Sequence, residues 1–118
     1  MGLDNFWRLK EGQSHPDFDP PLTLCGGLFS NSGKESFRGK VYSEFFDDVL
    51  SINLFQDSIS TEELIEGLYR LNIYISQNPN KDWECSYLTR EITFQEILDI
   101  QKMLNAYIKL EATLESWY

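Results

Sequence analysis

The stretch TFQEILDIQKMLNAYIKLEATLESWY, residues 93–118, decides how the rest of the chain is read. Thr93-Phe94-Gln95-Glu96 has the form of a capping box. The Thr93 hydroxyl accepts from the Glu96 amide and the Glu96 carboxylate reaches back to the Thr93 amide. Behind it Met103, Tyr107, Leu110, Leu114 and Trp117 recur at alternating spacings of four and three, while Ile97, Ile100, Leu104 and Ile108 widen that face. This periodicity predicts one long amphipathic helix, about 35 Å from end to end.

The same pattern extends toward the N-terminus. Ser60-Thr61-Glu62-Glu63 forms a second capping box, followed by a stripe of Leu64, Leu68, Leu71 and Ile75 that Ile65 and Tyr69 broaden. That helix must stop by Asn78, because the residue before Pro79 is disfavoured in the α region. KVYSEFFDDVL (40–50) sets Val41, Phe45 and Val49 at i, i+4, i+8 beside Tyr42, Phe46 and Leu50, which predicts a further helix. WECSYL (83–88) reads as a short strand or an extended loop. Six of the seven glycines and three of the four prolines fall within the first 39 residues. There Leu22-Thr23-Leu24 alternates like a strand and leads into a Gly26-Gly27 turn. The expected fold is a mainly α single domain over residues 1–118. An irregular, partly β segment (1–40) wraps a body of three or more helices (41–118).

Charge divides at the same place. The chain of 118 residues has 10 basic and 19 acidic residues, a net charge of −9, with 42% hydrophobic and 14% aromatic residues. It is too apolar for the usual disordered composition. It is too acidic for nucleic acid or an anionic membrane, which need clustered Lys and Arg. No apolar run exceeds three residues, and the first twelve residues carry Asp4, Arg8, Lys10 and Glu11, so neither a spanning helix nor a secretory signal is expected. Phe6 stands where a myristoylation signal wants Ser or Thr. A cytoplasmic location follows as the expectation. Residues 1–40 balance five bases against five acids, whereas the remaining 78 hold fourteen acids and five bases. Between Lys40 and Arg70 lie Glu44, Asp47, Asp48, Asp57, Glu62, Glu63 and Glu66, and no base lies within the stretch to relieve their repulsion through local i, i+4 pairs. Phe45, Phe46 and Phe55 lie among them, and Asn53–Asp57 reads as a loop that exposes a ring. Acids around aromatic anchors suit a protein-binding surface.

Other residues invite chemistry. His15, Asp17 and Asp19 alternate in HPDFDPP (15–21), but a metal would need Cys25 or Cys85 to complete the set, and the stretch reads more simply as a proline-rich turn with solvated acids. Cys25 with His15 as base lacks any surrounding nucleophile signature, and both cysteines are expected to be reduced. Asn31-Ser32-Gly33-Lys34 fails as a phosphate loop, with Leu28 where Gly is needed and Glu35 where Ser or Thr is needed. Arg38 and Lys40 stand at the positive start of a helix whose other end carries Asp47 and Asp48, so both ends oppose the macrodipole. Arg38 is therefore expected to clamp a carboxylate from another segment, the alternative being an anion held by Arg38 and Lys40.

After the start MGLDNFW (1–7), the segments FDPPLTLCGGLFS (18–30) and SFRGKVY (36–42) resemble a group of short bacterial proteins of uncharacterised function. The resemblance covers roughly the first 45 residues. It implies that Trp7, Gly26, Gly27, Arg38 and Gly39 form one structural unit, and it brings no activity or site residue. The expected function is that of a non-enzymatic protein-binding module without cofactor, monomeric or weakly dimeric. In its concrete form this is an immunity- or antitoxin-like inhibitor that turns Glu44, Asp47, Asp48, Phe55, Asp57, Glu62, Glu63 and Glu66 toward a basic protein. The alternative is a small ligand-binding domain or enzyme centred on His15, Cys25 and Arg38.

Overall fold

Pairing between segments more than a hundred residues apart organises the fold. The computed structural model describes residues 3–26, 35–84 and 91–117. In it β1 (Asp4–Arg8) runs antiparallel to β4 (Thr113–Trp117) along its whole length, Asp4 opposite Trp117 and Arg8 opposite Thr113. β2 (Ser36–Phe37) pairs with the other edge of β1, and β3 (Ser58–Ile59) with the other edge of β4. The sheet order is β2-β1-β4-β3, antiparallel throughout.

The protein is therefore a mixed α/β domain with three helices and a four-stranded sheet, not the mainly helical one expected. The helix expected over residues 93–118 fails at its end, residues 110–117. Helix α3 (Phe94–Lys109) ends where Glu111 takes a left-handed φ of 54°, and from Thr113 the chain is extended. Leu114 falls on the helical 3/4 spacing, but it also fits a period of two, and it is as a strand residue opposite Trp7 that it is buried. β1 hides its own alternation, because its inward row Leu3, Asn5, Trp7 has a polar member. The Asn5 amide is fully buried and donates to the Leu54 carbonyl at 3.0 Å. Leu22 and Leu24 are buried without joining the sheet. The chain reaches it only through an isolated bridge from Gly26 to Phe37.

The helices cover the inner face of the sheet. Trp7 stacks face to face on Tyr107 of α3 with ring centroids 4.2 Å apart. Helix α1 (Gly39–Phe45) passes directly into a π-helical turn (Phe46–Leu50) that ends where Ser51 turns left-handed at φ 57°. This turn buries Phe46 and Leu50 and leaves Asp47 and Asp48 outside. Phe37 stacks on Phe46 at 5.8 Å, while Phe45 meets Tyr74 and Trp83 edge-on. Helix α2 (Thr61–Gln77) packs on the π turn through Gly67, where a Cβ would come within 2.4 Å of Ile52 Cδ1. At Gly39 a Cβ would lie 1.8 Å from Asn5 Oδ1, so only glycine lets α1 approach β1 there. Both capping boxes form, at Ser60 with Glu63 and at Thr93 with Glu96.

Residues 15–25 lie across α3 and are tied to it by polar contacts. Thr23 donates both its amide and its hydroxyl to Asp99 Oδ2, and Lys102 Nζ donates to the Pro20 carbonyl at 3.1 Å. His15 meets the Tyr107 hydroxyl at 2.9 Å. No described helix is long and apolar enough to cross a membrane.

Candidate partner-binding surface

Helix α2 has one face in the core and another in water. Leu64, Gly67 and Leu71 point inward and are buried. One step around the helix, Ile65, Tyr69 and Ile73 form a row at i, i+4, i+8 and are 49%, 67% and 40% exposed. The sequence pattern placed Ile65 and Tyr69 at the margin of the core. They lie outside it because α2 packs on one side only, against the π turn and α3. Glu62 and Glu66 interleave with this row, and their carboxylates make no hydrogen bond or ion pair among the described residues. A hollow of about 460 Å³ is lined by Ile65, Glu66, Tyr69 and Arg70. A smaller one of about 150 Å³, between α2 and residues 51–59, shares Glu66 and Arg70 with it.

The other acids of the base-free stretch divide into used and unused. Glu63 closes the capping box: the Ser60 amide and then the Gln56 side chain hold its carboxyl below the ordinary range. Asp48 accepts from the Trp83 indole at 3.1 Å, and Glu44 and Asp57 have contacts of their own. Asp47 is exposed with its carboxylate unpaired among the described residues. Phe55 is 51% exposed on a loop where its amide donates to Asn53 Oδ1 at 3.0 Å. The seven acids do not gather at one point. Asp48 lies beside Tyr74, whose hydroxyl is pushed up by burial and by that charge, and about 18 Å of helix separates residue 74 from Glu62. Glu62, Glu63 and Glu66 stand in the first turns of α2 and Asp48 near its other end.

The residues of the alternative site turn to different partners. His15 is fixed at both ring nitrogens, with Nδ1 at Tyr107 and Nε2 3.3 Å from Glu35 Oε1. Burial, then the Glu35 charge, raises the Tyr107 hydroxyl well above its usual range. Phe6, Trp7, His15 and Glu35 line a cavity of about 350 Å³ that includes neither Cys25 nor Arg38. Cys25 is a half-buried free thiol whose amide donates to the Tyr42 hydroxyl at 2.7 Å. Tyr42 in turn donates to Glu96 Oε2 at 2.6 Å. The Arg38 amide donates to the Cys25 carbonyl, but its guanidinium turns to Asp4 of β1, with Nε 3.7 Å from Oδ1. Lys40 is exposed on the first turn of a seven-residue helix. Asp17 and Asp19 are exposed, and no three metal-ligating side chains come together among the described residues. Cys85, the loop Asn31–Lys34 and most of the WECSYL stretch lie outside the described residues.

Two sets of residues escaped sequence reasoning. The sequence marks Glu96 only as a cap and does not single out Asp99, yet both carboxylates are buried and anchor Tyr42 and Thr23. Ile73 was hidden among core positions, although its spacing from Ile65 and Tyr69 carried the signal. No protein family model, curated protein or solved structure matches the chain.

Proposed function

We propose that the protein is a non-enzymatic binding module of the cytoplasm that turns the outer side of α2 and the acids bordering it toward a basic protein. Its concrete form is an immunity- or antitoxin-like inhibitor. The observation that carries this reading is the juxtaposition on α2 of unpaired carboxylates, Glu62 and Glu66, with the exposed row Ile65, Tyr69 and Ile73. Exposed charge of one sign raises the encounter rate with a cationic surface, and desolvated apolar and aromatic side chains then hold the complex. The net charge of −9 comes entirely from residues 41–118, the part of the chain that contains α2. A nucleic-acid-processing enzyme has a cationic groove, so an acidic domain of this size is a fitting occupant for it.

The test is affinity capture with the wild-type chain and with the triple reversal Asp47→Lys, Glu62→Lys, Glu66→Lys, at low and high salt. The expected result is a basic protein held at low salt by the wild type, released as screening shortens the Debye length, and not held by the reversed chain. Equal capture by both chains would sink the proposal. Circular dichroism confirms that the reversed chain is folded.

A further inference from the structure

We infer that the part of the partner that meets α2 is a basic amphipathic helix, with a groove between its turns seated over the ridge Ile65–Tyr69–Ile73 and its Lys or Arg side chains beside Glu62 and Glu66. This rests on the binding-module reading above and specifies what that surface accepts.

Three observations select this occupant. Bulky side chains four residues apart form a ridge, here about 12 Å long from Ile65 to Ile73, and such ridges fit the grooves of a second helix. The backbone groups of α2 are satisfied within the helix, so an extended segment laid on it would find no partners for its own amides and carbonyls, whereas a helix brings its own satisfied. Glu62 and Glu66 are themselves four apart, a like-charge pair with no ion pair to Arg70 one turn beyond among the described residues, and cations flanking the incoming apolar seam reduce that repulsion. A second copy of this chain fits less well, because it would bring another net charge of −9 and another Glu62–Glu66 pair to the same face. Tyr69, the most exposed residue of the ridge and its centre, is the anchor.

The probe is a model peptide of about 18 residues built from Leu and Lys, with leucines at helical i, i+3, i+4 spacing. A peptide of the same composition with its leucines scattered is the control. Each is titrated into the isotope-labelled full chain at about 50 mM salt, where screening is weak. The patterned peptide is expected to shift the α2 resonances of residues 62–73 and to bind at least tenfold more tightly than the scattered one. The double variant Tyr69→Ser, Ile73→Ser should lose at least tenfold in affinity without loss of folding, since both side chains are exposed. Glu62→Gln with Glu66→Gln should weaken binding and flatten its salt dependence. Equal binding of both peptides, unaffected by the serine variant, overturns the helix seat and leaves the acidic surface standing. Shifts confined to another part of the molecule also overturn the seat. Absence of binding by either peptide overturns both readings.

Discussion

Helices α2 and α3 are seventeen and sixteen residues long, and each starts in a Ser/Thr–Glu capping box. Beyond that first turn they part. Seven residues of α3 are buried, among them two carboxylates, and only three of α2. In α3 every buried acid has work inside the fold: Glu96 takes the Thr93 and Tyr42 donors, and Asp99 takes Thr23 and Gln95. In α2 the only first-turn acid with a partner among the described residues is Glu63, which caps its own helix, and Glu62 and Glu66 face water. The difference comes from what lies outside each helix. Residues 15–25 and the Trp7 ring cover α3, while the far side of α2 is left open. Local chemistry settles where a helix begins, and the rest of the chain settles how many of its faces are core.

The comparison can be broken most directly by truncating one buried residue. Leu104→Ala should cost about 2–5 kcal/mol in urea unfolding, because Leu104 is fully buried and its cavity cannot collapse freely. A cost below about 1 kcal/mol would mean that α3 is no more enclosed than α2. Next in size, Asp99→Ala leaves the Thr23 amide, now bonded at 2.8 Å, without its acceptor. The expected loss is about 1–3 kcal/mol, with faster hydrogen exchange at Thr23 than elsewhere in the chain. The two caps sharpen the contrast further. Ser60→Ala and Thr93→Ala should each cost about 1 kcal/mol, and Thr93→Ala the more, because Glu96 also holds Tyr42. The α2 cap also depends on pH. The folded Glu63 carboxyl titrates below its unfolded value, so the stability it contributes is complete above the ordinary Glu pKa of about 4.3. That stability is lost as the pH falls through the folded value. Glu63→Gln should remove this acid-dependent part, a few tenths of a kcal/mol at so exposed a site. Smallest of all, Tyr69→Ser should change stability by less than about 0.5 kcal/mol, since nothing in the core rests on that ring.

These contrasts mark what could be read from the sequence. The starts of α2 and α3 were legible because a capping box is local, and the end of α2 because Pro79 forbids continuation. The sheet was not. β2 and β3 have two residues each, and β1 carries a buried Asn in its inward row. β4 continues a helical spacing, and only its pairing with residues near the start of the chain decides its conformation. The same limit applies to the surface. Ile65 and Tyr69 flank Leu64 and Leu68 in the pattern, and no property of α2 alone shows which row the remainder of the chain leaves bare. The acids were legible as a group, but their division into Glu63 and Asp48, already occupied, and Glu62, Glu66 and Asp47, unpaired, depended on Ser60, Gln56 and Trp83 standing where they do.

The antiparallel match of residues 4–8 with 113–117 also orders events during synthesis. On the ribosome β1 emerges first and waits for β4, with β2 as its only described neighbour in the sheet. The helices between them can form early, from local contacts, but the Trp7 ring gains its full enclosure only when Leu114 arrives opposite it. Until then the edge of β1 that β4 will take stays unpaired in the nascent chain, a hazard that ends only as the last of these residues leaves the exit tunnel.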